Sequence, residues 1–198
     1  MSQLPTTGGR YLLIGLVWLA VSIGAGALGW LADLRPPAPQ LLLLGLTASL
    51  LAAAATLSGF RTWLGALKLR QIVALHITRF VGAYFLVLHA RGQLPFAFAV
   101  PGGWADIAVA SGALVLVLLV PNLTEHLIAL LVWNVAGFLD ILFVVVTAAR
   151  LALADPASMS PLLRLPLSLL PTFLVPLIIA SHVLLFWRLA RTRKSPIA

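Results

Sequence analysis

The sequence predicts an all-α fold, a polytopic transmembrane helical bundle of about six spans. Of the 198 residues, 62% are hydrophobic and 9% are charged, whereas a soluble domain is about half apolar and about a quarter charged. The mean hydropathy is +1.09, and the apolar stretches are long enough for the roughly 20 residues that a bilayer crossing needs. These stretches are continuous, unlike the alternating segments of a porin-type barrel.

The composition also limits the possible chemistry and partners. The chain has no cysteine, which excludes disulfides and thiolate metal sites. Its net charge of +8 comes from basic residues between and after the apolar stretches, where they set membrane topology. We therefore expect the lipid bilayer, and not a nucleic acid, as the partner. The first apolar run is too long for the core of a cleaved signal peptide, so we expect it to remain as a span.

Six apolar segments predict the spans of a single integral membrane domain over residues 1–198. Prolines and polar clusters separate the segments and mark the connections between them. The predicted spans are about 11–32, 40–57, 71–90, 95–120, 125–149 and 162–187, and residues 188–198 are predicted to form a basic cytoplasmic tail. The basic, aromatic segment 60–70 is either a helix lying on the membrane surface or an ordinary charged loop.

The distribution of basic residues predicts that both termini are cytoplasmic. Six spans bring the two ends of the chain to one side, and that side carries more basic residues than the other. The positive-inside rule places such a side in the cytoplasm. The residues are Arg10, Arg61, Lys68, Arg70, Arg188, Arg191, Arg193 and Lys194 on one side, and Arg35, Arg91, Arg150 and Arg164 on the other. A high content of Ala, Leu, Gly and Arg is typical of GC-rich bacterial genomes, so we expect the bacterial inner membrane.

Two charged residues lie inside apolar runs. Arg79 lies near the middle of the third predicted span, where its side chain cannot easily reach the surface and a charge costs about 3 kcal/mol. It therefore needs an anion, and Asp140, deep in the fifth span, is the predicted partner. Gly137 would allow close approach of the two helices, and the amide of Asn134 offers further hydrogen bonds. The pair either fixes the packing of the two spans or contributes to a ligand site.

Asp106 follows Pro101, Gly102 and Gly103, residues that favour interruption of a helix. One interpretation is a fourth span broken at Pro101–Gly103. Irregular backbone at depth is tolerated only in the protein interior or at a cavity, and transporters place substrate sites at such breaks. The other interpretation places Asp106 at the interface, in the first turn of a helix, where the helix dipole stabilises a carboxylate.

His76 and His182 are the two histidines predicted to lie inside the membrane. His76 comes one turn before Arg79, and His182 lies at a similar depth in the sixth span. Two histidines at one depth on different helices can ligate a haem iron, so they form a candidate haem b pair. No metal-binding spacing such as H-x-x-x-H occurs, and no other metal site is predicted.

The sixth predicted span contains Pro166, Pro171 and Pro176. Each interior proline removes a backbone hydrogen bond and can kink the helix. The sequence therefore predicts a proline-kinked sixth span, which either opens a cavity or is the tolerated irregularity common in membrane helices.

Three classes of function are compatible with these residues. The preferred class is a multi-pass inner-membrane protein whose intramembrane pocket binds or transports a small ligand, an ion or protons. Its candidate polar core comprises Arg79, Asp140, Asn134, His182, His76 and Asp106. The second class is an intramembrane enzyme acting on a lipid or isoprenoid, with Asp140 or Asp106 as general acid and His182 as base. The third class is a structural or haem b-bearing subunit of a membrane complex. No nucleophile elbow, phosphate-binding loop or dinucleotide fingerprint decides whether the protein is an enzyme.

Overall fold

The structure, a computed structural model that describes residues 6–192, confirms the predicted fold class. Within these residues there is no strand, and six helical segments are long and apolar enough to span a membrane. The first, second, fourth and fifth spans are α1 (Thr6–Ala27), α2 (Ala38–Thr56), α6 (Phe96–Leu119) and α7 (Leu127–Ala154). The third span combines α4 (Leu69–Leu75), a 3₁₀ segment (His76–Val81) and α5 (Gly82–Ala90). The sixth combines a π-helical turn (Leu170–Leu174) and α8 (Val175–Thr192).

The third to sixth spans form the core of the bundle. Only 6% of the first span and 11% of the second are buried, whereas the other four are 39%, 39%, 28% and 33% buried. The first two spans therefore lie at the periphery, with most of their apolar surface available to lipid. All six candidate polar residues belong to the four core spans, which protects their polar groups from the lipid.

The third span changes its helical form at mid-membrane. His76 and Arg79 both belong to the 3₁₀ segment and are buried. Side chains three residues apart are eclipsed in a 3₁₀ helix, so these two residues project from the same edge of the span. That edge faces the fourth, fifth and sixth spans, as the contacts of both side chains show.

Both interpretations of the fourth span are wrong. α6 runs without interruption from Phe96 to Leu119, and Asp106 is buried well inside this helix, not in a first turn at the interface. Pro101 lies in the second turn of α6, where it removes only the hydrogen bond to the carbonyl of Ala97. The two following glycines serve close packing between helices. A Cβ atom at Gly102 would lie 3.2 Å from Cγ2 of Val144, and Gly103 meets the backbone of the third span.

The sixth span begins at Leu170, later than the predicted residue 162, and a 3₁₀ segment (Pro156–Leu163) precedes it. Its proline irregularity takes the form of the π-helical turn. Pro176 has no N–H to donate to the carbonyl of Thr172, four residues earlier. Side chains of the first span donate to that carbonyl instead, from Nε1 of Trp18 at 2.8 Å and from Oγ of Ser22 at 3.3 Å.

The segment between the second and third spans is a short helix, α3 (Ser58–Ala66), rather than a loop. Phe60 and Trp63 pack on the ring of Tyr11, with ring centroids 5.1 and 5.4 Å away. The guanidinium of Arg188 donates to three carbonyls near the end of α3, those of Leu64, Gly65 and Leu67. These contacts gather α3, the start of α1 and the end of α8 at one end of the bundle. Residues 188–192 belong to α8 rather than to a tail, and the rest of the predicted tail, 193–198, lies outside the described residues.

Candidate functional site

The third and fourth spans touch through two glycines at mid-membrane. A Cβ atom at Gly82 would lie 2.5 Å from the carbonyl oxygen of Gly103, and a Cβ at Gly103 would lie 2.8 Å from the carbonyl oxygen of Gly82. Small residues let membrane helices approach to backbone contact in this way. The crossing places Arg79, one turn before Gly82, beside Asp106, one turn after Gly103.

Arg79 is the centre of a buried ionic cluster that joins three spans. Its Nε donates to Oδ1 of Asp106 at 2.6 Å, its Nη2 donates to Oδ2 of Asp140, and its Nη1 donates to the carbonyl oxygen of Gly137 at 2.9 Å. The side chain of Arg79 is 1% exposed, against 5% for Asp106 and 9% for Asp140. The structure thus brings Arg79 and Asp140 together, and it adds Asp106 as a second carboxylate on the same guanidinium.

The charges of this cluster do not balance. One guanidinium faces two carboxylates, so the fully ionised cluster carries a net charge of −1. A buried charge without a partner is costly in an apolar interior. The cluster therefore favours binding one additional positive charge, either a proton or a cationic group.

Asn134 fixes the position and tautomer of His182. Its Nδ2 donates to the carbonyl oxygen of His182 at 3.2 Å, and its Oδ1 lies 2.8 Å from Nδ1 of the same histidine. Because an amide oxygen can only accept, Nδ1 carries the hydrogen and donates. Nε2 is then the acceptor atom of the neutral ring, and it has no hydrogen-bond partner within residues 6–192.

Ser181 fixes His76 in the same manner. Its hydroxyl donates to the carbonyl oxygen of Ile178 at 2.8 Å and lies 3.0 Å from Nε2 of His76. A hydroxyl that donates to Ile178 can only accept from His76, and in that arrangement Nε2 of His76 donates to Ser181. Nδ1 of His76 is the remaining acceptor, and it too lacks a partner among the described residues.

The two histidines are in direct contact, and this contact does not fit a haem. Their ring centroids are 4.3 Å apart, the distance of rings that touch. Axial ligands of a haem lie on opposite faces of the macrocycle, and this separation leaves no room for it. The geometry therefore argues against the predicted haem pair of His76 and His182. No group of three potential metal ligands occurs in residues 6–192.

Gly137 joins the ionic cluster to the histidine pair. Its carbonyl accepts from Arg79, and its missing side chain admits the ring of His182, since a Cβ atom there would lie 2.8 Å from Cε1 of that ring. Six polar side chains from the four core spans therefore form one continuous group. The group comprises Arg79, Asp106, Asp140, Asn134, His76 and His182.

A cavity of about 310 Å³ opens beside the cluster. Its polar lining comes from Arg79, Asp106 and Gln40, and its other lining side chains are apolar. Oε1 of Gln40 has no hydrogen-bond partner among the described residues. The walls include residues of the connections after the first and fifth spans, such as Leu34 and Met159. The cavity thus extends from mid-membrane toward the end of the bundle opposite α3.

The candidate residues are not equally placed with respect to this cavity. Arg79 and Asp106 line it, whereas Asp140, Asn134, His76 and His182 lie behind them. Gln40, Gly82 and Ser181 also belong to the site and were not predicted from the sequence. Gly82 could have been found, because a glycine on each of two apolar helices is the known signal for close packing.

We expect Asn134→Leu to destabilise the protein by about 1–3 kcal/mol, because it leaves the Nδ1–H of His182 buried and unpaired. Reversible unfolding in sodium dodecyl sulfate would measure the loss. In a His182→Phe background, Asn134→Leu should destabilise the protein less, because the imidazole N–H that it would leave unpaired is already absent. Equal losses in both backgrounds would contradict the assigned hydrogen bonds.

Together, fold and site define a six-span helical membrane protein with a buried ionic cluster at the end of an apolar cavity. The chain belongs to the family described as "Domain of unknown function (DUF8737)", which matches residues 36–190. The match includes the second to sixth spans, and so all residues of the cluster and every residue that lines the cavity except Leu34, but not α1. No curated protein and no solved structure matches the chain.

Proposed function

We propose that this protein binds an amphipathic small molecule within the membrane, with the apolar part of the molecule in the cavity and its polar end at Arg79 and Asp106. The observation that carries the proposal is the cavity itself. Its volume of about 310 Å³ lies at the lower end of the range of ligand sites, and a mostly apolar lining with a few convergent polar groups is typical of such sites.

The buried polar group also supports a second step, in which the protein transports the bound molecule or protons. From the cavity, the ionic cluster and the histidine pair extend the polar group toward the α3 end of the bundle, and the group ends at the two buried histidines. A chain of ionisable residues within membrane spans is typical of transport and proton-relay proteins. We place this activity in the bacterial inner membrane with cytoplasmic termini, on the basis of the basic residues of the connections.

The geometry gives less support to an intramembrane enzyme. Asp106 faces the cavity, but His182 is not among its lining residues. A general acid and a general base must both reach the reacting molecule, and these two do not face one common space. A purely structural role for the cluster is the remaining alternative, and it makes no use of the cavity.

Filling the cavity tests the proposal. Ala148 lines the cavity on α7, and Ala136, exposed on the same helix, serves as the control position. We expect native mass spectrometry of the wild-type protein, released from membranes, to show a bound amphipathic molecule. Ala148→Trp should remove it while leaving thermal stability unchanged or raised, and Ala136→Trp should retain it. Absence of any bound molecule from wild type, or its retention in Ala148→Trp, would overturn the proposal.

A further inference from the structure

The charge of the groups around Asp106 restricts what can bind there. The third span contributes the cation Arg79 and the neutral His76, the fifth contributes the anion Asp140, and the sixth contributes the neutral His182. The one polar side chain that the second span contributes to the cavity lining is the uncharged amide of Gln40. With both carboxylates ionised, the set has a net charge of −1.

We propose that the cavity selects an amphipathic cation, and that the bound cation replaces one proton held by the Arg79–Asp106–Asp140 cluster. This inference rests on the proposed function, since it names the class of molecule that the cavity binds. Without ligand, one proton shared by the two carboxylates makes the cluster neutral, as burial demands. A monovalent cationic group beside Asp106 restores the same neutrality, and the proton leaves to the solvent. One cation enters for each proton released, so charge is conserved.

Asp106 is the carboxylate that meets the ligand. It lines the cavity, whereas Asp140 does not. Asp106 uses Oδ1 for its hydrogen bond to Arg79, which leaves Oδ2 as the oxygen for a second positive group. The unpartnered Oε1 of Gln40 adds an acceptor on the cavity wall, and acceptors suit a cationic or hydrogen-bond-donating head group.

An anionic head group fits poorly, although arginine commonly binds anions. All three nitrogens of the Arg79 guanidinium already donate, two of them to carboxylates. An anion beside the neutral, singly protonated cluster would give the site a net charge of −1, at a depth where charges are weakly screened. The arginine here neutralises protein carboxylates and has no charge left for a ligand.

The test uses three probes with the same ten-carbon chain, in lipid nanodiscs. Decyltrimethylammonium and decyl sulfate keep their opposite charges at every pH of the experiment, and decanol is neutral. The chain contains no cysteine, so an Ala148→Cys variant reports on the cavity through its rate of reaction with a maleimide. An Ala136→Cys variant, on the lipid-exposed face of the same helix, controls for partitioning of the probes into the bilayer.

We expect decyltrimethylammonium to slow the reaction of the Ala148→Cys variant and to leave the Ala136→Cys variant unaffected. Its apparent affinity should rise about tenfold per pH unit over the range in which the ligand-free cluster holds its proton, because one proton is released per cation bound. Asp106→Asn should remove this pH dependence and lower the affinity for the cation at least tenfold. Decanol should protect the Ala148→Cys variant from the maleimide to the same extent at every pH. Decyl sulfate should protect this variant less than decanol does.

The outcomes separate the two proposals. Protection by decyl sulfate as strong as that by the cation, or cation binding that does not change with pH or with Asp106→Asn, would overturn the cation–proton exchange. The cavity would still bind amphipathic molecules in that case. Failure of all three probes to protect the Ala148→Cys variant would overturn the proposed function itself, and the exchange with it.

Discussion

Arg79→Gln should prevent the protein from folding stably in the membrane. The change leaves Asp106 and Asp140 buried without a cation, and both carboxylates have their hydrogen bonds to Arg79 removed. Breaking a buried ion pair by removal of one partner costs about 3–5 kcal/mol, which is a large part of the stability of most proteins. The measurement is the fraction of monodisperse protein recovered from membranes, followed by unfolding in sodium dodecyl sulfate.

A compensating variant distinguishes loss of charge balance from loss of packing. Combining Arg79→Gln with Asp106→Asn and Asp140→Asn removes all three charges, and we expect most of the lost stability to return. Arg150→Gln is the control, because Arg150 is exposed on α7 and its loss should change stability little. If Arg79→Gln alone behaved like Arg150→Gln, the assigned charges of the cluster would be wrong.

Gly82→Ala should separate the third and fourth spans. The added Cβ would lie 2.5 Å from the carbonyl oxygen of Gly103 and 2.7 Å from Cβ of Asp106. The first obstacle is backbone and cannot rotate away, so the helices must move apart and the contact between Arg79 and Asp106 must lengthen. Overpacking typically costs about 1–3 kcal/mol, and we expect the upper end of that range here because the ionic cluster is disturbed as well.

The same substitution at Gly45 provides the matched control. Gly45 lies inside α2, and an added Cβ there meets no atom within 4 Å. Gly45→Ala should be neutral, or stabilising by up to about 1 kcal/mol because alanine favours the helix. Thermal unfolding of both variants in one detergent makes the comparison. Similar melting temperatures for the two variants would contradict the close crossing at Gly82.

The fold class followed from hydropathy and length alone, because only helices in apolar runs of this length can satisfy their backbone across a bilayer. The contact between Arg79 and Asp140 followed from the cost of a buried charge, which requires an opposite charge at a similar depth. Neither argument used the rotation of a helix about its axis, so the sequence indicated this pair without showing that the two side chains meet.

Features that depend on rotation or on close contact were not predictable. These helices are apolar on nearly all sides, so hydrophobic periodicity does not indicate which face is buried. The sequence therefore did not show that Asp106 meets Arg79. The motif Pro101–Gly103 suggested a break, whereas its last glycine is needed for the contact with Gly82. Equal depth of His76 and His182 suggested a shared iron, but equal depth does not determine lateral distance, and the rings touch.

The contact of Trp18 and Ser22 with the carbonyl of Thr172 joins residues 154 and 150 positions apart in the chain. Synthesis proceeds from the N-terminal end, so the first span enters the bilayer while the sixth is still to be made. The side chains of Trp18 and Ser22 then have no acceptor, because the carbonyl of Thr172, to which Pro176 cannot donate, is synthesised only near the end. In lipid, such a group costs several kcal/mol until it is satisfied. Docking of the sixth helix on the first is therefore a late step of biogenesis, and a nascent protein that has not completed it exposes an unsatisfied carbonyl to the bilayer.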